Sequence, residues 1–294
     1  MKILVTGATG YLGSHIAKKL NLITDNKVYA LVRDSSKAVA TLPSEIVIKV
    51  YDGTYDSLVQ IFSESRFDLV IHIAALATYE TNAKNIKDLV ASNLELSTYL
   101  LQAMATSGCS RLINTGTFWQ HYSGESYNPV CLYAAMKQAV EEIIEYYVQA
   151  YSFQVITLKV TDVYGPNDPR RKVFSLLRDI KKNNATVSLS KGEQQINLLY
   201  IDDAVNAYLR AVDLLKEKDD KSFHQRYFVA NGNSISLRNL VDKYQQISGE
   251  KLEISYTNPY RQREIMQPYI GTLLTDWHSD TPIDTGIKNV IAAE

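Results

Sequence analysis

The chain has 294 residues, of which 46% are hydrophobic and 21% are charged, and its formal net charge is -1. This composition indicates a globular protein of one large or two closely joined domains, and the charge favours neither nucleic acid nor an anionic membrane as a partner. Cys109 and Cys131 are too few for a disulfide framework or a zinc site, and no metal site is predicted. No apolar run reaches the roughly 20 residues of a membrane span, and a strand beginning at residue 3 leaves no room for a signal peptide, so we expect a cytoplasmic protein.

The chain opens with MKILVTGATGYLG, in which three glycines follow an apolar run. Residues 3–5 predict a buried strand, and residues 15–20 begin a helical pattern. Between them Gly7, Gly10 and Gly13 are spaced by three residues, so that no side chain would keep a pyrophosphate from the helix N–H groups. The sequence therefore predicts a dinucleotide site at this turn, and its other candidate contacts are Thr9, Tyr11 and Leu12.

Strand-like and helical segments alternate through the first half. Strands are predicted at residues 27–32, 46–50, 68–75, 111–115 and 153–160, and helices at residues 58–62, 93–105 and 133–151. Because these strands are apolar on both faces, we expect an α/β fold with a Rossmann doubly wound parallel sheet. Ligands in such sheets bind at the carboxyl ends of the strands.

The pattern changes after residue 165, where NDPRR forms a charged loop. Helices are predicted at residues 173–182, 202–215 and 236–247, with short strands at 187–189 and 197–201 and a solvated loop at 216–221. Asp202 or Asp203 is suited to capping the second of these helices. We expect a dinucleotide-binding domain over residues 1–165, joined by part of 197–228. Residues 166–196 and 229–294 would form a smaller C-terminal α/β lobe that binds the substrate.

The second strand ends Leu31-Val32-Arg33-Asp34, which bears on the choice of dinucleotide. In the NAD version of this fold an acidic residue at this point holds the ribose hydroxyls, whereas an arginine suits a 2′-phosphate. Val32 stands near the expected acid and Arg33 is free to pair with phosphate, so we expect NADP(H), with further donors at Ser35, Ser36 and Lys37. NAD(H) remains the alternative if Asp34 reaches the ribose, and without the glycine turn Arg33 would be interpreted as a solvated surface charge.

Other candidate cofactor contacts follow the third and fourth strands. Asp52, next to Gly53, is placed to accept a hydrogen bond from the adenine amino group. Ala74 and Ala75 are small enough to let a cofactor lie close to the fourth strand. Asn93, at the start of a long helix, completes the candidate set.

The pair Tyr133 and Lys137 in YAAMK lies on one face at the start of a helix. A tyrosine of ordinary pKa transfers protons poorly at neutral pH, and we expect the nearby ammonium to lower that pKa. Lys137 is also placed to hold the nicotinamide ribose. Thr117, sixteen residues before Tyr133, follows a predicted strand and has a hydroxyl that suits a substrate oxygen.

Eight segments occur in an order that resembles a known family: TGATGYLG, DGTYDSL, IHIAA, INTGT, YAAMK, VYGPNDP, LLYIDDAVNAY and VANGNSISLRNLV. Together they resemble the extended short-chain dehydrogenase/reductase family, in its nucleotide-sugar epimerase, dehydratase and reductase branch. The resemblance implies that Thr117, Tyr133 and Lys137 form the catalytic triad, with the three glycines under the pyrophosphate. It also implies a homodimer in which the two long helices pair as a four-helix bundle.

Three chemistries compete within that branch. Dehydratases carry an acidic pair directly after the triad threonine, where this chain has Phe118 and Trp119. Epimerases use NAD with an acidic ribose anchor, which Val32 and Arg33 do not provide. The segments LKVTDVYG, SLSKGEQQINLLYIDD and YRQREIM are similar to nucleotide-linked 4-keto-6-deoxyhexose reductases of the abequose and paratose type. The resemblance thus implies NADPH-dependent reduction of the C4 ketone of a 4-keto-6-deoxy or 3,6-dideoxy sugar, as in O-antigen lipopolysaccharide.

Two alternatives remain open, an NAD-dependent nucleotide-sugar 4-epimerase and a non-catalytic NADP sensor. For the nucleotide-diphosphate sugar, Trp119, Gln120 and His121 follow the triad threonine and are candidates for the sugar pocket. His121 is either a second acid or a structural residue. A guanidinium matches phosphate oxygens in a bidentate fork, so candidates for the diphosphate are Arg170, Arg261 and Arg263. Asn197, beside a late strand, is a further candidate substrate contact.

Overall fold

The computed structural model describes residues 1–183, 185–218 and 221–294. In chain order the strands are β1 (Lys2–Thr6), β2 (Lys27–Val32), β3 (Val47–Val50), β4 (Leu69–His72), β5 (Arg111–Thr117), β6 (Gln154–Val160), β7 (Asp162–Tyr164), β8 (Val187–Ser190), β9 (Gln195–Ile196), β10 (Leu198–Tyr200), β11 (Phe223–Val229), β12 (Ile235–Ser236) and β13 (Ile254–Asn258). The helices are α1 (Tyr11–Asn21), α2 (Ser35–Thr41), α3 (Tyr55–Glu64), α4 (Ile86–Val90), α5 (Leu96–Ser107), α6 (Leu132–Tyr151), α7 (Val173–Asn183), α8 (Ile201–Glu217), α9 (Leu237–Ser248) and α10 (Ile283–Ala292).

Seven strands form one sheet in the order β11-β6-β5-β4-β1-β2-β3, and every neighbouring pair is parallel. The direction of chain progression reverses between β1 and β4, where Thr6 pairs with His72 at the carboxyl ends. This is the doubly wound Rossmann sheet that the alternating pattern predicted. Its switch point is where such sheets bind dinucleotides.

Both faces of the sheet are buried, because successive side chains of each strand point to opposite sides. On one face Leu4, Val70, Leu112 and Val155 belong to a core that includes residues of α3, α5 and α6. On the other face Ile3, Ile71, Ile113 and Ile156 pack in a core with α1 and α8. Each of these fully buried aliphatic side chains contributes about 1.5–3 kcal/mol, so the two cores hold the strand ends in a fixed arrangement.

The second half adds three small two-stranded sheets, β10-β7, β12-β9 and β13-β8. The predicted short strand at residues 187–189 is confirmed as β8, and the predicted helices of this half are confirmed as α7, α8 and α9. Helix α8 extends to Glu217, so the first two residues of the predicted loop 216–221 are helical. Residues 219 and 220 of that loop lie outside the described residues.

Two boundaries near the switch point differ from the prediction. The predicted strand 68–75 stops at His72, so residues 73–75 form an irregular segment beside the glycine turn. The predicted helix 93–105 begins inside a π-helical turn, Ala91–Glu95, that joins α4 to α5. None of the described helices is long and apolar enough to cross a bilayer.

Candidate active site

The glycine turn brings the backbone of β1 close to the backbone that follows β4. Gly7 has φ +69°, and a Cβ on it would lie 2.8 Å from the amide nitrogen of Ala74. A Cβ on Gly13 would collide with the carbonyl oxygen of Gly7, and the Gly10 amide donates to that same oxygen at 2.9 Å. Helix α1 begins after Gly10 without a side-chain cap. Its first N–H groups are therefore available to an anion, and the bare turn fits a pyrophosphate.

A chain of buried hydrogen bonds fixes the segment opposite this turn. Thr6 Oγ1 accepts the amides of Ile73 (3.1 Å) and Ala74 (3.0 Å), so its own hydrogen donates to His72 Nδ1 at 2.8 Å. His72 Nε2 then donates to Ser97 Oγ at 2.9 Å. Burial, together with the positive charge of Lys137, lowers the pKa of His72 to about 3. A neutral imidazole thus anchors residues 73–75, where we expect the cofactor to approach the sheet.

Asn93 lies in the π-helical turn and is 1% exposed. Its amide nitrogen donates to the carbonyl oxygens of Leu76 (3.1 Å) and Leu89 (2.9 Å). Its Oδ1 is buried and has no hydrogen-bond partner among the described residues. Asn93 therefore ties the turn to the segment after β4.

The end of β2 presents Arg33 to solvent, while Val32 is buried in the sheet. Asp34 is the N-cap of α2, and its Oδ1 accepts the amide of Lys37 at 3.1 Å. After β3, Asp52 accepts both the amide and the hydroxyl of Thr54, and these hydrogen bonds lower the pKa of its carboxyl group. Gly53 beside it has φ +102°.

The three triad candidates lie at the carboxyl end of β5 and in the first turns of α6. Strand β5 runs two residues further than predicted and ends at Thr117, whose Oγ1 accepts the amide of Trp119 at 3.3 Å. No acceptor for the Thr117 hydroxyl hydrogen is found among the described residues, so that hydrogen is available to a substrate oxygen. Tyr133 and Lys137 are both buried, and Lys137 Nζ lies 6.0 Å from the centroid of the Tyr133 ring.

Burial dominates the protonation of this pair. It raises the pKa of Tyr133, so the expected lowering by the ammonium is not observed in this structure. It lowers the pKa of Lys137 from 10.5 to about 8, against an opposing attraction from Glu141. At neutral pH Tyr133 is therefore protonated, and Lys137 is an ammonium whose pKa of about 8 is close to neutral pH.

A cleft of about 1100 Å³ is lined by both halves of the chain and includes Phe118 and Trp119, the two residues after Thr117. Thr117, Tyr133 and Lys137 themselves lie outside its described lining. Its aromatic wall includes Tyr79 and Trp119, which meet edge to face with 6.2 Å between ring centroids. The Trp119 ring in turn meets the Tyr133 ring at 6.2 Å. The proton donor candidate thus lies next to an aromatic surface.

Arginines line the remainder of that cleft. Arg261 lies over the Tyr79 ring at 4.5 Å and pairs with both carboxylate oxygens of Glu264 at 2.9 Å. Arg263 lies over the Tyr122 ring at 4.3 Å, and its Nε is buried without a hydrogen-bond partner among the described residues. The cleft therefore combines an aromatic end near Tyr133 with guanidinium groups elsewhere.

The family model of the NAD dependent epimerase/dehydratase family matches residues 3–224. The chain belongs to this family. It is 28% identical over 270 residues to a CDP-abequose synthase of Yersinia pseudotuberculosis, covering 91% of this chain and 92% of the relative. A CDP-abequose synthase of Salmonella muenchen is 28% identical over 296 residues, covering 99% and 97%. The solved Thermus thermophilus UDP-glucose 4-epimerase, in complex with NAD, has the same fold, with a TM-score of 0.86, 23% identity and coverage of 100% and 98%.

In this member of the epimerase/dehydratase family, four of the seven predicted substrate residues line the cleft, namely Trp119, Arg170, Arg261 and Arg263. Arg170 is also held by the protein, because it pairs with Asp168 at 2.8 and 2.7 Å and lies 4.9 Å from the Tyr11 ring centroid. The guanidinium of Arg263, which the sequence also suggested, has no carboxylate partner among the described residues.

The other three polar predictions, Gln120, His121 and Asn197, are buried and lie outside the described lining of the cleft. Asn197 Oδ1 accepts from the Thr161 hydroxyl (3.0 Å) and from the Asn231 amide (2.9 Å), and its Nδ2 donates to the Asn231 carbonyl at 2.8 Å. This side chain crosslinks two loops. Its polarity suggested a substrate contact, but its partners are within the protein.

His121 is likewise committed to protein partners. Its Nδ1 lies 3.0 Å from the Glu125 carbonyl oxygen, which only accepts, so the ring hydrogen is on Nδ1. Its Nε2 lies 2.9 Å from Lys159 Nζ and accepts from it. Burial and the charge of Lys159 lower the pKa of His121. This arrangement corresponds to the structural alternative rather than to a second acid.

Sequence reasoning missed the buried His72 and Glu141. His72 lies in the segment IHIAA, which was interpreted only as part of a strand. The one signal that could have identified it is its position within a strand expected to be buried on both faces. Glu141 lies eight residues after Tyr133 in the same helix. This helical spacing is the signal that could have placed it on the same face as Tyr133 and Lys137.

Proposed function

We propose that the protein is an NADPH-dependent reductase of the C4 ketone of a nucleotide-linked 4-keto-6-deoxy or 3,6-dideoxyhexose. The observation that carries this proposal is the replacement of the dehydratase acid pair by Phe118 and Trp119, with Trp119 packed against the proton donor Tyr133. The similarity to two CDP-abequose synthases over nearly the whole chain supports it.

The roles proposed for the triad rest on the hydrogen bonding of Thr117 and on the protonation states of Tyr133 and Lys137. The dinucleotide, when bound, supplies the hydride that forms the new C–H bond at C4 of the sugar. Tyr133 is protonated at neutral pH and gives its hydroxyl proton to the ketone oxygen, which becomes the alcohol. Thr117, whose Oγ1 already accepts from Trp119, donates its own hydrogen to the same oxygen and stabilises the developing negative charge. Lys137 keeps a positive charge near the resulting phenolate and holds the ribose hydroxyls.

The preference for NADPH over NADH rests on the end of β2. Arg33 is exposed and available to a 2′-phosphate, whereas Asp34 already caps α2. A capping carboxylate has one oxygen committed to the helix, so it is a poorer bidentate partner for two ribose hydroxyls. In this proposal the glycine turn lies under the pyrophosphate. The other cofactor contacts are those predicted from the sequence after the second, third and fourth strands and at Asn93.

The aromatic wall supports a deoxygenated sugar. Tyr79, Phe118 and Trp119 present ring surface at the catalytic end of the cleft. A C6 methyl group, or a C3 methylene, gains from contact with such a surface, whereas a hydroxyl there would lose hydrogen bonds with water. We therefore place the deoxygenated positions of the sugar against these rings.

The nucleotide diphosphate is assigned to the smaller lobe formed by residues 166–196 and 229–294. Arg170, Arg261 and Arg263 line the cleft between this lobe and the sheet. Among them Arg263 has an unpaired buried Nε, and a phosphate oxygen would satisfy it. Arg261 and Arg170 pair with carboxylates through Nε and Nη2, so their Nη1 groups remain to donate to a ligand.

An assay of NADPH oxidation with CDP- and dTDP-4-keto-6-deoxyglucose, and with their 3-deoxy relatives, tests the proposal directly. We expect stoichiometric loss of NADPH with at least one of these substrates and a C4 alcohol in the product by NMR. Tight NADPH binding without turnover of any of them would favour the non-catalytic sensor.

The second candidate is an NAD-dependent 4-epimerase, because the solved structure compared above is a UDP-glucose 4-epimerase in complex with NAD. An epimerase returns the hydride to its substrate, so it consumes no cofactor. Conversion of UDP-glucose to UDP-galactose without added NADPH would support this candidate and contradict the reductase.

We also propose a cytoplasmic homodimer that pairs α5 and α6 with those of a second copy. Tyr146 and Tyr151 of α6 are 57% and 41% exposed, although they are large aromatic side chains. Sedimentation equilibrium of the wild type and of Tyr146→Lys tests this assignment, since a charge in that interface should shift the mass toward the monomer.

A further inference from the structure

Gln120 connects the strand that carries Thr117 to the helix that carries Tyr133 and Lys137. Its Oε1 accepts the Thr117 amide at 2.9 Å, and its Nε2 donates to Glu141 Oε1 and Gln138 Oε1, both at 2.7 Å. The side chain is fully buried, and these contacts use its carbonyl oxygen and both hydrogens of its amide nitrogen.

The local backbone is built around this side chain. Residues 118–120 form a 3₁₀ turn in which the Thr117 hydroxyl accepts the Trp119 amide while Gln120 reaches back to the Thr117 amide. A Cβ on Gly116 would lie 3.0 Å from Gln120 Oε1, so glycine leaves the space that the amide occupies. The orientation of Thr117 therefore depends on where Gln120 is held.

Glu141 holds it from the helix side. Tyr133, Lys137 and Glu141 are successive residues at four-residue spacing, so they share one face of α6. The Glu141 side chain is fully buried, with Lys159 Nζ 3.5 Å from Oε1 and Arg226 Nε donating to Oε2 at 3.0 Å. These two cations fix the carboxylate against β6 and β11, and they balance its charge in the interior.

We propose that Gln120 and Glu141, which we term the positioning link, set the Thr117 hydroxyl at the distance from Tyr133 that lets both groups reach one substrate oxygen. Neither side chain of the link touches the substrate. The proposal rests on the proposed reductase function, because it assigns Thr117 and Tyr133 to the same ketone oxygen. A shift of Thr117 by about 1 Å would lower the rate by up to about 100-fold without removing a catalytic group.

The link can be tested by exchanging its two side chains. Gln120→Glu places two carboxyl groups at hydrogen-bond distance. Where both are ionised, their repulsion should displace the 118–120 turn, whereas a shared proton relieves it at lower pH. The double variant Gln120→Glu/Glu141→Gln restores one amide and one carboxylate. In it the new carboxylate at position 120 still accepts the Thr117 amide, while the new amide at position 141 donates to that carboxylate and accepts from Arg226. The Gln138 amide, which accepts from Gln120 in the wild type, rotates so that its nitrogen donates to the new carboxylate.

We expect kcat of Gln120→Glu to fall about 10- to 100-fold, with the KM of the sugar and the Kd of NADPH within about twofold of wild type. The double variant should recover kcat to within about threefold. The matched control is Gln149→Met, at an exposed position of the same helix, which should keep wild-type kcat. A wild-type kcat in Gln120→Met, which removes all three hydrogen bonds of the Gln120 amide, or a folded double variant as slow as the single one, would overturn the proposal.

Amide hydrogen exchange supplies a readout that needs no turnover. The peptide containing Thr117 should exchange faster in Gln120→Glu and regain protection in the double variant, with unchanged protection in α1. If Gln120→Glu does not fold, the same exchange measurement on Gln120→Met, which keeps the side-chain length, decides the question, and unchanged protection there contradicts the link. If the wild type turns over no keto sugar, the proposed function fails, while the exchange result still reports on the link.

Discussion

Lys137 Nζ lies 6.0 Å from the ring centroid of Tyr133, one helical turn away, and both side chains are buried. Burial disfavours the charged form of each group, so it raises the pKa of Tyr133 and lowers the pKa of Lys137. These protonation states suit the proposed reduction, in which the tyrosine must begin protonated and the lysine must be charged when the phenolate forms. The same burial makes the lysine the group that limits function at alkaline pH.

Binding of NADPH should weaken as the pH rises through about 8. The pKa of Lys137 is lowered to about 8, so its ammonium is present below that pH and is lost above it. A lost charge-assisted hydrogen bond to the ribose corresponds to about a tenfold rise in Kd. Fluorescence titration of NADPH at several pH values measures this effect. Lys137→Gln should bind more weakly and show no step near this pH, and a step that persists in the variant would assign the titration to another group.

Lys137 should also destabilise the fold at neutral pH. Its pKa is about 8 in the folded protein against 10.5 for the ordinary group, so the unfolded chain binds more protons between these values. The free energy of unfolding of the wild type therefore rises with pH across that window, by about 3 kcal/mol in total. Below about pH 8 the buried ammonium lowers the free energy of unfolding by this full amount.

Chemical denaturation of Lys137→Met measures this penalty. The variant should be more stable than wild type by up to about 3 kcal/mol at neutral pH, and the difference should shrink toward zero as the pH approaches 10.5. Lys182→Met, at an exposed position of α7, is the control and should show no such pH dependence. A difference that stays constant with pH would mean that the gain comes only from the added apolar surface.

Replacement of Tyr133 by Phe removes the proposed proton donor while retaining the ring that packs on Trp119. The rate of ketone reduction should fall about 100- to 10,000-fold, the usual contribution of a positioned general acid. The Kd of NADPH should change by less than about twofold, since Lys137 remains. Stopped-flow measurement of NADPH oxidation determines the rate, and Tyr127→Phe, at an exposed position, is the matched control. Full activity in Tyr133→Phe would reject the mechanism.

Periodicity and glycine spacing predicted the sheet and the dinucleotide turn, because each depends on residues close together in the chain. The interior polar residues were harder to interpret. Gln120 and Asn197 look like ligand contacts in a sequence, and their true partners, Glu141 and Asn231, are 21 and 34 residues away. Only tertiary packing brings such partners together. Polar residues near the triad therefore indicated a binding site, but the sequence did not show which of them contact the ligand and which form hydrogen bonds within the protein.

The choice of cofactor can be decided at the end of β2 by two substitutions of adjacent residues. Arg33→Ala should raise the Kd of NADPH about 10- to 100-fold and leave that of NADH unchanged, because only NADPH carries the 2′-phosphate. Asp34→Asn should change neither Kd, and it should preserve the thermal stability, because asparagine caps a helix as well as aspartate.

Isothermal titration of both dinucleotides against both variants gives the four affinities. The opposite pattern, in which Asp34→Asn weakens NADH and Arg33→Ala leaves NADPH unaffected, would show that the carboxylate reaches the ribose despite its capping bond at 3.1 Å. The exposed guanidinium would then be an ordinary surface charge. NAD would become the cofactor, and the epimerase candidate would gain the acidic anchor that Arg33 and Val32 now argue against.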